Sequence, residues 1–150
     1  MGARANRDAA YRDSIAVEWR RAVRESQWSA AAHSMLANIA LITRDWAAAR
    51  RELEAALRVD PFMLSARERL GLVALTEGRP REALEQFKRE QRIPERETRI
   101  NAGIASAKAA IRTLEGRRRE LESDLRRDPG NAALQDTLRS IRERLSPGRL

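Results

Sequence analysis

The chain has 150 residues, of which 42% are hydrophobic, many of them alanine, and only 4% aromatic. That balance fits one domain with a core of closely packed helices and argues against a β-sandwich, which needs β-branched and aromatic side chains. The formal net charge is +8, and the absence of cysteine excludes disulfides, thiol catalysis and Cys-based zinc or iron–sulfur sites.

The opening segment, Met1 to Asp8, has no apolar run of the kind a signal peptide carries. No stretch approaches the roughly 18 apolar residues that a membrane span requires, so a cytoplasmic location is the default expectation. Residues 7–26 are predicted to form an amphipathic helix with Ile15, Trp19 and Ala22 on one face. Trp28 follows and reads as a staple at the junction with the next element. Residues 30–63 read as two helices around a turn at Arg44-Asp45-Trp46. The first carries Leu36-Ala37; the second carries Ala49, Leu53 and Ala56 and ends at Asp60-Pro61. Residues 64–97 repeat that plan with Leu70-Gly71, a turn at Glu77-Gly78-Arg79, then Ala83 and Phe87, and a closing mark at Pro94-Glu95.

Past residue 97 the pattern becomes a heptad stripe of Ile100, Ile104, Ala107, Ile111 and Leu114, which Leu121 and Leu125 continue after Arg118 interrupts it. One long helix over about 97–127 is the preferred reading, with a turn at Gly116 as the alternative. Asp128-Pro129-Gly130-Asn131 breaks the helix, and Asn131 is placed to cap the next one. Leu134, Leu138, Ile141 and Leu145 form its apolar stripe, so this last helix is expected to fold back on its predecessor.

Pro61 and Pro129 stand 68 residues apart, twice 34, with the Pro94 mark halfway and shifted by one residue. A helix–turn–helix period of 34 residues with Leu-Gly, a small Ala, an aromatic and a closing Pro resembles the tetratricopeptide repeat. Residues 64–97 fit best, and 30–63 fit nearly as well, with Ala37 replacing the glycine. Ala74 departs from the pattern where an aromatic is expected; Lys108 and Arg117 depart where apolar or small residues are expected. Ile15, Trp19 and Ala22 lie one period before Ala49, Leu53 and Ala56, so residues 7–26 read as the second helix of a half-repeat. The resemblance implies an all-α protein: a short α-solenoid of antiparallel helix pairs within a single domain, 1–150, closed by a C-terminal helical hairpin cap over 98–150.

The residues offer little to chemistry. His33 is the sole histidine, and the repeat places a bulky packing residue there. Glu52 and Glu54, two apart on a helix, do not face each other. A zinc site would have to rest mostly on carboxylates, and no glycine-rich phosphate loop or Gly-x-Ser-x-Gly elbow is present. No enzyme activity, metal or cofactor is therefore expected. Carboxylates interleaved with arginines at helical spacing read as surface ion pairs.

The resemblance also implies that the first helix of each repeat lines a concave binding face. By that phase, the first repeat contributes Ala31, Ser34, Asn38, Leu41 and Ile42, and the second contributes Ser65, Glu68, Arg69, Leu72, Leu75 and Thr76. The long helix adds Arg99, Ala102 and Ser106. Leu72 and Leu75 have packing inside the solenoid as an equal alternative. Asn38 and Arg99 resemble two members of the set with which some tetratricopeptide proteins clamp a terminal carboxylate. Ser34, Arg69 and Gly103 stand at its other places, so that ligand is not expected.

Charge is uneven. Residues 1–29 carry +2, residues 30–97 +1 and residues 98–150 +5. The excess gathers around Arg117, Arg118, Arg119, Arg126, Arg127, Arg139, Arg142 and Arg144. The expectation is a non-catalytic adaptor or accessory subunit that docks a helical or extended segment of a protein partner in a larger assembly. The alternative is a nucleic-acid-associated protein acting through the Arg-rich hairpin, disfavoured by the lack of interleaved aromatics. The open face of the half-repeat makes self-association a further possibility to test.

Overall fold

The computed structural model describes residues 2–25, 29–90 and 97–147. Among them are seven helices and no strand: α1 Gly2–Glu25, α2 Ala30–Ile42, α3 Trp46–Val59, α4 Ala66–Thr76, α5 Pro80–Glu90, α6 Glu97–Arg127 and α7 Ala132–Arg144. The protein is all-α, as a helical repeat requires. The helix expected over 7–26 begins earlier, at Gly2, because Ala3, Arg4 and Ala5 are strong helix formers. Trp28 and Pro94, to which the sequence assigned a staple and a closing mark, lie outside the described residues. The chain forms two compact units, Met1–Arg69 and Leu70–Leu150.

In the first unit, α2 packs antiparallel on α3, and α1 packs on α2. Ser29 caps α2 by accepting from the Ala32 amide at 3.1 Å, and Asp45 caps α3 by accepting from the Ala48 amide at 3.0 Å. Ala32, Ala37, Ala49, Leu53 and Ala56 are fully buried. Small residues at these crossings let the helix axes come close. His33 does more than fill space: its Nδ1–H donates to the Glu52 carboxylate at 2.9 Å, tying α2 to α3.

The turn after α2 recurs after α4. Arg44 (φ 59°) and Gly78 (φ 70°) stand 34 residues apart, both in the left-handed region. In the first turn, Arg44 N–H bonds the Leu41 carbonyl and Asp45 N–H bonds the Ala40 carbonyl. In the second, Gly78 N–H bonds Leu75 and Arg79 N–H bonds Ala74. This is the Schellman arrangement, in which two orphan carbonyls at the helix end are satisfied. Arginine pays a Cβ clash there that glycine avoids. Arg44→Gly is therefore expected to raise stability by about 0.5–1 kcal/mol, less than the full left-handed penalty because the unfolded chain also gains freedom. Urea denaturation monitored by circular dichroism would read the gain.

In the second unit, Ala74, Ala83, Phe87, Ile100, Ile104 and Ala107 form one core, with Leu75 and Leu84 packed against it. Ala74, the departure where an aromatic was expected, is fully buried in this cluster beside Phe87. The ring fills the space from α5. An added Cβ at Gly71 or at Gly103 would lie 2.7 Å from the Phe87 ring, so α4 and α6 both press on it. A second core joins α6 to α7: Leu121, Leu138, Ile141 and Leu145 are buried, flanked by Ile111, Leu114, Leu125 and Leu134. The heptad stripe thus lies on one long helix whose first part, Ile100 to Ala107, packs in the Phe87 core and whose later part, Ile111 to Leu125, packs against α7. Gly116 lies within α6, and no atom approaches its Cβ position, so it makes no turn. Asn131 caps α7 by accepting from the Leu134 amide at 3.2 Å. At the other end of α7, Arg144 Nε donates to the Gly78 carbonyl at 3.1 Å. No helix among the described residues is long and apolar enough to cross a membrane.

Candidate protein-interaction surface

On a helix, positions i, i+4, i+7 and i+11 share one stripe, and a neighbouring residue lies about 100° away. On α2 the more exposed stripe is Ala31, Met35, the half-buried Asn38 and Ile42, with Met35 37% and Ile42 65% exposed. One period later, on α4 and the residue before it, the equivalent positions are Ser65, Arg69, Leu72 and Thr76, with Leu72 48% exposed. Each stripe therefore carries exposed apolar side chains, at different places: Met35 and Ile42 correspond to Arg69 and Thr76, and Leu72 corresponds to Asn38.

The other candidate residues fall on the adjacent stripe. Ser34, Leu41, Glu68 and Leu75 also form a period-related set, and all are at least partly covered. Glu68 is buried at 4% exposure, and Leu75 packs against the Phe87 core. Of the two readings of Leu75, packing inside is the one observed. Leu72 takes the other, facing solvent. Ser34 and Arg69 are brought together: Arg69 Nη1 donates to Ser34 Oγ at 3.3 Å. Asn38 is half-buried, its Nδ2 3.9 Å from Met35 Sδ. Arg99 is exposed on the first turn of α6.

Sequence reasoning missed Met35, which lies beside Ser34 but on the exposed stripe. It also missed Phe62 and Leu64, 89% and 59% exposed in the segment joining α3 to α4. The Asp60-Pro61 mark located that segment but did not show which way its side chains turn.

The basic residues of the C-terminal hairpin divide into two groups. Arg117 pairs with Glu120 at 3.0 Å, while Arg118 and Arg142 converge on Glu122 at 3.7 and 3.2 Å. Arg139 pairs with Asp136 at 3.2 Å. Arg119, Arg126 and Arg127 are exposed and pair with no carboxylate among the described residues. Neutralised arginines contribute little to a phosphate-binding field, because counterion release scales with the cations that meet phosphate. Among the described residues no group of three or more His, Asp or Glu side chains is placed to hold a metal ion.

In comparison with known proteins, residues 34–97 match the family model of the tetratricopeptide repeat. No curated protein matches the chain.

Proposed function

As a tetratricopeptide repeat protein over residues 34–97, the chain, we propose, is a non-catalytic adaptor or accessory subunit that holds a segment of a partner protein. Repeats of this family generally mediate protein–protein interaction. The observation that carries the reading is the solvent-facing stripe repeated at 34-residue spacing on α2 and α4. Met35, Ile42 and Leu72 are apolar side chains that remain exposed to water, which is what an apolar anchor of a partner requires. Ser65, Arg69 and Thr76 supply polar groups on the α4 stripe. An apolar or amphipathic helical segment is the occupant that suits such stripes.

The nucleic-acid alternative has less support. Three of the six arginines assigned to the basic patch are held by carboxylates of the same hairpin.

The test is capture of partners by the tagged full chain from its own cells, after nuclease treatment and washing at high salt, read by mass spectrometry. A retained protein should be lost with Ile42→Asp and with Leu72→Glu. Both positions are exposed, so both variants should fold, which circular dichroism checks. Undiminished capture by the folded variants would remove the stripes from the site. Loss of every partner on nuclease treatment would transfer the function to the basic hairpin.

A further inference from the structure

A groove of about 460 Å³ lies in the second unit between α5 and α6, closed at one side by Pro147. Its floor is apolar: Leu84 from α5 and Ile111 from α6 are only partly covered by the two cores they adjoin. Its rim is cationic, with Arg81 and Lys88 on α5 and Lys108 and Arg112 on α6. The single acidic residue lining it is Glu85, already paired with Lys88 at 3.2 Å. Arg81 is held by Glu115 at 2.8 Å. Lys108 and Arg112 have no carboxylate partner among the described residues, and both are exposed.

Two sequence features converge here. The chain uses arginine almost throughout, yet its two lysines, Lys88 and Lys108, both line this groove. Lys108 is also a position where the repeat pattern asks for an apolar or small residue. An exposed ammonium beside a half-covered Ile111 is a poor way to finish a core and a suitable way to hold a carboxylate.

We propose that this groove is a second protein-docking site, separate from the stripes of α2 and α4, and that it takes an acidic amphipathic helix of a partner protein. Apolar side chains of that helix rest on Leu84 and Ile111, while Asp or Glu side chains along its edge meet Lys108 and Arg112. The charges decide the occupant. With Arg81 and Lys88 already paired, the two remaining cations, Lys108 and Arg112, favour an acidic segment, and a second copy of a chain with net charge +8 is opposed. A nucleic acid would leave the apolar floor unused and find no aromatic side chain in the lining on which to stack a base.

The probe is a fluorescent 18-residue helical peptide with leucines on one face and glutamates along its edges, titrated by anisotropy against the full chain. Binding is expected, weakening as salt rises. It should fall at least tenfold with Lys108→Glu/Arg112→Glu, stay near wild type with Lys108→Arg, and be unaffected by Ile42→Asp or Leu72→Glu. The proposal is overturned if the glutamate peptide fails to bind, if a glutamine version binds equally well, or if the charge-reversed protein binds undiminished. Displacement of the peptide by an oligothymidine of similar length would reassign the groove to nucleic acid. A dimer by sedimentation that the same charge reversal dissolves would reassign it to a second copy. Because the two lysines lie in the groove, carbodiimide coupling offers an independent readout. Peptide carboxylates should attach at Lys88 and Lys108, and attachment confined to the α-amino group would count against the site.

Discussion

Alanine at position 71 or position 103 is expected to lower stability by about 1–3 kcal/mol, although the same change in an open helix raises it by about 1 kcal/mol. The reason is the Phe87 ring. A Cβ at either position would stand 2.7 Å from ring carbons, and the ring is 1% exposed, so it has nowhere to retreat. Removing the ring is worse: Phe87→Ala should cost about 3–5 kcal/mol, because two helices approach closely only to meet it. The preceding repeat indicates how the clash is relieved. At the positions equivalent to Gly71 and Phe87 it carries Ala37 and Leu53, both fully buried. One methyl has been added on the first helix and an aromatic ring given up on the second. Gly71→Ala with Phe87→Leu should therefore lose less than the two single changes together, with a coupling of about 1 kcal/mol. Urea denaturation of the four proteins measures the cycle. A stabilising Gly71→Ala would show that helix propensity, and not contact with the ring, governs the position.

Leu121→Ala is expected to cost about 2–5 kcal/mol and to release α7 preferentially. Leu121 is 1% exposed and sits in the core where Leu138, Ile141 and Leu145 meet α6. Besides the partly covered Ile111, Leu114 and Leu125 of that core, the ties of α7 within its unit are polar and exposed: the Arg142–Glu122 pair and the Arg144 bond to the Gly78 carbonyl. Such exposed contacts contribute about 0–1 kcal/mol each and do not replace a buried leucine. Hydrogen exchange should show the amides of 132–144 losing protection first, while those around Phe87 keep theirs. Uniform loss across the unit would mean that the hairpin and the Phe87 core unfold together.

Much of the fold was legible in the residues. The 34-residue period located both turns, and they carry matching hydrogen bonds. Ala49, Leu53, Ala83 and Phe87 were read as interior and are buried. The heptad series from Ile100 to Leu125 ran through Gly116 as one helix. The candidate surface was read less well. Ser34, Leu41, Glu68 and Leu75 were assigned to a binding face, yet all are at least partly covered, whereas Met35, one residue from Ser34, is exposed. The basic patch was read as one cluster, but pairing across 20 residues, from Arg142 to Glu122, divides it.

By itself, the sequence determined what is periodic and local: all-helical class, repeat phase, turn positions and helix caps. These rest on side-chain spacing and on hydrogen bonds between residues at most five apart, which need no knowledge of neighbouring helices. Only the tertiary structure decided which stripe of α2 and α4 meets solvent, which arginines are already neutralised, and that two glycines 32 positions apart press on one ring. Each of these depends on which distant residue arrives beside a given side chain. A rotation of about 100°, one residue along a helix, separates the exposed stripe from the covered one, and helix packing sets that angle.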